Sequence, residues 1–267
     1  MRVICFDLPD TWLDLVDSAL ISPIEYLNRL KAGNLEYSCW DCSGLEDVFD
    51  DSELDSILAK IEKAVKGNCL GLYHGCRLEV NDNPSKTGLN PSSIKGITSS
   101  LFKLAKNDIV LRDYLKEIEE ALLSEEFQLQ ADLRDGQIWF CLTFSEVIQK
   151  GRVYVAFGSE YRLNILNAVK EDLKFRLFNY SHPSILSFDI PIDEYLYKYN
   201  DRIAKFLFSL WIHYHLKFDD SDKPEGFACY LTQTIPAHCI KEIIKPERVY
   251  DRFNNERRWY TYEEMCP

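Results

Sequence analysis

Two short stretches carry the residue types for work on a phosphate-rich ligand. The first, Leu70-Gly-Leu-Tyr-His-Gly-Cys-Arg77, reads as an apolar strand ending on His74, Gly75 and Arg77. An imidazole can donate to a ribose hydroxyl. A residue without a side chain lets a ligand approach the backbone, and a guanidinium can pair with a diphosphate. The second, Arg152-Val-Tyr-Val-Ala-Phe-Gly-Ser-Glu-Tyr161, reads as a strand bearing Tyr154 and ended by Gly158. Ser159 then caps a helix that runs to Lys174. Glu160 in its first turn reads either as an ordinary acid favoured by the helix dipole or as a catalytic carboxylate.

Taken together, "YHGCR" followed by Gly88-Leu89, then "VYVAFGSEY", and later "strand, Ile235-Pro236" resemble the ADP-ribosyltransferase superfamily in its His-Tyr-Glu branch. The resemblance spans residues 69 to 245 and extends to bacterial toxins, including those of phage-defence toxin-antitoxin systems. It implies an α+β fold: a split β-sheet core with flanking helices, here with a helical N-terminal extension. It also implies NAD as the ADP-ribose donor, with no metal. His74 and Gly75 would hold NAD, and Tyr154, Ser159 and Tyr161 would close the nicotinamide pocket. Trp139 and Phe140 on the preceding strand are rivals to Tyr154 as the nicotinamide wall. Arg77 is the diphosphate candidate from its charge alone.

Breaking the bond between nicotinamide and ribose resembles glycoside cleavage, which passes through an oxocarbenium-like state that a carboxylate can stabilise. The superfamily glutamate usually opens the late strand, ahead of the Ile-Pro pair. Ala228 stands at that place, and Glu225 is the nearest acid. The carboxylate is therefore either Glu160 or Glu225, and Glu160 is preferred because it follows the Tyr154 segment. A protein of this kind would transfer ADP-ribose to a macromolecule, with RNA slightly favoured over DNA or protein. The alternative is a catalytically inactive ligand- or partner-binding module on the same fold.

The elements that must position these residues follow from periodicity. Strands are expected over residues 2–8, 69–77, 137–143, 152–157, 183–192 and 227–232. Helices are expected after Pro9, over Ile24–Lys31, through the acidic stretch from Asp41 to Glu62, over Ile94–Phe127 and over Asp193–Leu216. Glu79–Ser93 reads as a polar surface loop. The expected organisation is an extension over 1–68, a catalytic domain over 69–245 and a basic-aromatic tail over 246–267.

Composition narrows the partners. Thirty-one basic against 43 acidic residues give a net charge of −12, which disfavours sequence-blind binding to nucleic acid or an anionic membrane. The acidic 41–62 helix reads as a solvated face or a docking face for a basic antitoxin. Asp7 and Asp10 interrupt any leader-like start, and no apolar run is long enough for a membrane span, so a cytoplasmic protein is expected. The nine cysteines are read as reduced thiols, and Cys39-Trp-Asp-Cys42 lacks the second ligand pair of a structural zinc site. His213-x-His215 is read on a helix, where alternate residues do not share a face. In the tail, Lys245, Arg248, Arg252, Arg257 and Arg258 stand among Tyr250, Phe253, Trp259 and Tyr260, a composition that suits either a tail packed on the domain or contact with single-stranded nucleic acid.

Overall fold

The computed structural model describes residues 1–32, 45, 48–79, 81–149, 152–217, 226–250 and 259–266. Cys39, Cys42, Glu225, Arg252, Arg257 and Arg258 lie outside the described residues. The strands are β1 (Val3–Ile4), β2 (Cys69–Glu79), β3 (Ile138–Phe140), β4 (Ser181–Pro191), β5 (Cys229–Leu231), β6 (Ile240–Ile244), β7 (Arg248–Tyr250) and β8 (Trp259–Thr261). The α-helices are α1 (Leu13–Ala19), α2 (Pro23–Ala32), α3 (Asp51–Val65), α4 (Pro84–Thr87), α5 (Ile94–Asn107), α6 (Ile109–Arg112), α7 (Leu115–Leu123), α8 (Glu125–Asp132), α9 (Phe144–Gln149), α10 (Arg152–Phe157), α11 (Glu160–Val169) and α12 (Asn200–Leu216). Helix and strand are mixed, compatible with an α+β class. Among the described residues no helix is long and apolar enough to cross a membrane.

The chain divides into two units, Met1–Leu72 with Asp189–Cys229 and Tyr73–Phe188 with Tyr230–Pro267. The division is interleaved along the chain. In the first unit, β1 pairs parallel with the start of β2, Val3 opposite Cys69 and Ile4 opposite Leu70. The expected first strand stops early because Thr11 Oγ1 accepts from Cys5 N at 2.9 Å and donates to Leu8 O at 2.7 Å, folding the chain into a turn. The expected helix over the acidic stretch forms only from Asp51, as α3; Leu45 and residues 48–50 are not helical, and Asp50 is its N-cap, accepting from Glu53 N at 2.9 Å. Ile57, Leu58, Ile61 and Val65 form its buried stripe and pack with α12.

The expected helix over 193–216 is regular only from Asn200. A π turn (Ile192–Leu196) and a 3₁₀ turn (Tyr197–Tyr199) precede it. Asp193 Oδ2 accepts from Gly67 N at 2.8 Å, and Ile192 N donates to Asn68 O at 3.0 Å. These contacts fix the segment before helical geometry can begin. His213 and His215 lie on α12 as read.

In the second unit, β4 lies next to β2 and pairs antiparallel with β6, Ile185 opposite Ile244, with an irregularity between Ser187 and Phe188. Ile185, Leu186 and Phe188 are fully buried, as suits an apolar run covered on both faces. The Ile94–Phe127 region breaks into four helices, α5 to the start of α8, and the 79–93 loop contains the short α4.

One expectation fails in a way that matters for the site. Arg152–Phe157 is α10, not a strand. Its Val-Tyr-Val alternation favours a strand, but Val155, Ala156 and Phe157 are buried in succession. A pleated strand would turn one of every two to the opposite face. The helix lets all three pack, and Phe157 stacks on Phe178 at 5.5 Å. Here tertiary packing overrides local propensity. Gly158, at φ +77°, ends α10, and Ser159 caps α11 by accepting from Arg162 N. That helix stops at Val169; Glu171–Asn179 continues as 3₁₀. The described part of the tail is also structural: β7 and β8 form an antiparallel pair, and Tyr260 packs on Phe175 and Phe178.

Candidate functional site

The site is built in the second unit from β2, β3, the Asp135-Gly136 turn, α10 and α11. His74 lies on β2 with its Nδ1 2.8 Å from Trp139 O. A carbonyl only accepts, so Nδ1 carries the proton and the neutral ring offers Nε2 as an acceptor. The nitrogen left free on the ring is thus one that can accept a hydrogen bond, not donate one. Burial lowers the His74 pKa below the ordinary histidine value, opposed by the bond to Trp139, so the ring is neutral near pH 7.

Trp139 lies on β3 with its ring 5.0 Å from that of Tyr230 and beneath the Arg134 guanidinium at 5.7 Å. Its indole Nε1 is buried and has no partner among the described residues. Arg134 reaches on to both Tyr154 and Glu160, hydrogen-bonding the phenol and pairing with the carboxylate. Tyr154 also donates to Glu160 Oε2 at 3.1 Å. Burial, with help from Glu160, pushes the Tyr154 phenol up to about 12, so it remains a donor. The Glu160 carboxylate thus receives a guanidinium and a phenol on the same oxygen. His74, Tyr154 and Glu160 are linked through two residues, Trp139 and Arg134.

The remaining expected residues fall elsewhere. Arg77 projects from β2 into the fold: Nε donates to Ser181 Oγ at 2.9 Å, and its other nitrogens donate to the carbonyls of Ala156, Ser181 and Met265. The guanidinium also lies over Phe178 at 5.0 Å, and burial holds its pKa down to about 10. These bonds tie β2 to α10 and the C-terminal segment, and Arg77 is not positioned as the diphosphate partner expected from its charge. Tyr161 packs in the core edge-on to Phe127 rather than beside Tyr154. Ser159 caps α11, and Gly75 is buried within β2. Ala228 is exposed just ahead of β5.

Gly88-Leu89 and Ile235 meet in the fold. Leu89 N donates to Ile235 O at 2.9 Å, and Ile235 N returns the bond at 2.8 Å. A Cβ on Gly88 would stand 2.3 Å from Ile235 O, and its φ is +76°, so this close crossing requires glycine.

Sequence reasoning missed Arg134 and Tyr230. Arg134 directly precedes the Asp135-Gly136 turn, and a cation at a turn between a helix and a buried strand was the one available signal. Tyr230 carried none, because its partner across β3 is set by sheet pairing. No family model, curated protein or solved structure matches the chain.

Proposed function

We propose that this chain is an NAD-dependent ADP-ribosyltransferase with the split-sheet fold of that superfamily. The observation that carries the reading is the convergence of Tyr154, Glu160 and Arg134 beside Trp139, whose carbonyl anchors His74. Each group has work in breaking the nicotinamide–ribose bond. His74 Nε2 accepts from a ribose hydroxyl and fixes the sugar. The Trp139 ring, paired with Tyr230, forms a flat wall for nicotinamide. Arg134 takes over the diphosphate role first read for Arg77. Glu160, held in place by Arg134 and Tyr154, faces the positive charge that grows as the bond's electrons leave with nicotinamide. The acceptor's nucleophile then bonds the ribose carbon and loses its proton. By the sequence resemblance, the setting is a bacterial toxin or phage-defence effector, cytoplasmic, held in check by an antitoxin, with RNA as the favoured acceptor.

A second reading, a catalytically inactive binding module on the same fold, is favoured by two features. Ala228 occupies the place of the late-strand glutamate, and Arg134 neutralises Glu160. Labelled NAD incubated with the protein and total lysate, followed by nuclease or protease digestion, separates the readings. Transfer that is abolished by Glu160→Gln supports the enzyme. NAD binding without turnover supports the module. Absence of both, with His74→Ala silent, sinks the assignment.

A further inference from the structure

On the same unit, a cavity of about 250 Å³ lies where the far end of β2 meets α5, α11 and the start of β4. Its lining includes Arg77, Lys103 and Arg162, with Ser100 between and Glu79 and Asp82 to one side. Arg162 comes from the first turn of α11 and donates through Nη2 to Ser100 Oγ at 2.7 Å. Its Nε–H is fully buried and has no partner among the described residues. A buried donor left unmade is destabilising until a ligand or water meets it. Burial also pushes the guanidinium pKa down, with Glu79 and Asp82 only partly opposing that, so the cation is stabilised at a distance but not in contact. Arg77 is bonded to carbonyls and a hydroxyl, which satisfy its donors without cancelling its charge. Lys103 is exposed on α5 at the cavity's edge.

A cavity lined by three cations, one of which keeps a donor unmade, is complementary to an oxyanion with several acceptor oxygens. Glu79 and Asp82 suit hydroxyl or ammonium donors on the rest of the same ligand. The volume falls below the roughly 300–1,000 Å³ that encloses drug-sized ligands, so a whole dinucleotide does not fit. We infer that this cavity binds a small phosphate-bearing molecule, separately from the site at Glu160.

The test uses the full chain without NAD, so it stands or falls apart from the transferase reading. Inorganic phosphate, glycerol 3-phosphate and, at matched ionic strength, chloride are titrated by calorimetry and thermal melting. Saturable binding by phosphate or its ester at concentrations up to about 10 mM, absent with chloride, is expected. Tighter binding of the ester marks a phosphorylated metabolite as the ligand; equal binding marks free phosphate. Arg162→Gln and Lys103→Glu should each weaken binding about tenfold or more, the effect of losing one charge-assisted bond. Lys103 is exposed, so its variant keeps the test valid where Arg162→Gln fails to fold. No saturable binding, or affinity unchanged by Lys103→Glu, overturns the inference.

Discussion

At the scale of single residues, the tautomer of His74 sets a pH dependence. Its Nε2 serves as an acceptor only while the ring is neutral, and burial places its folded pKa below the ordinary value of about 6.5. NAD affinity should therefore stay flat from pH 8 down to about 6.5 and fall only at lower pH, as the imidazole gains a second proton. Binding measured across that range checks this; a fall beginning at pH 7.5 would place another group in control. His74→Ala should weaken NAD binding by about 1–3 kcal/mol through loss of one hydroxyl partner. Glu160→Gln should act differently. A carboxylate that meets charge developing in the transition state lowers turnover more than affinity, so kcat should drop far more than KM rises. Tyr154→Phe removes one donor from Glu160 but leaves Arg134, and should cost less than Glu160→Gln.

At the scale of elements, two junctions hold the second unit's pieces in register. Asp108 caps α6 through Val110 N and Leu111 N, pairs with Arg176 and accepts from Tyr180. Burial alone would raise its pKa, but Arg176, the Leu111 amide and the Tyr180 hydroxyl together bring it down to about 2. The folded value lies below the ordinary aspartate value of about 3.9. Its contribution, on the order of 2–3 kcal/mol, is complete above that value and is lost as pH falls toward 2. Acid unfolding should show this limb, and Asp108→Asn should lower stability at pH 7 while flattening it. The other junction is the Gly88–Ile235 crossing. Gly88→Ala should destabilise by about 2–3 kcal/mol, because the backbone φ is positive and the new Cβ meets a carbonyl that cannot yield cheaply. Thermal melting measures it; a neutral result would mean the crossing is loose.

At the scale of the whole molecule, the net charge of −12 opposes generic contact with nucleic acid, so any RNA acceptor would have to be held by a local surface. The C-terminal arginines are the sequence's main candidates for it. Arg257→Ala with Arg258→Ala should weaken acceptor modification while leaving NAD hydrolysis nearly intact, and should flatten the salt dependence of RNA binding. Equal loss of both activities would place these residues with the donor site. The sequence by itself determined the mixed α and β content, the run of β4 and the α3 stripe, because each depends on local periodicity. It also singled out His74, Tyr154 and Glu160. Only the tertiary structure decided that Arg152–Phe157 is a helix, since burial of three consecutive residues outweighs a β-branched alternation. It alone turned Arg77 into a tie within the fold and put Arg134 over Trp139 and against Glu160. Long side chains reach partners far along the chain, and which partner they reach follows from packing, not from spacing.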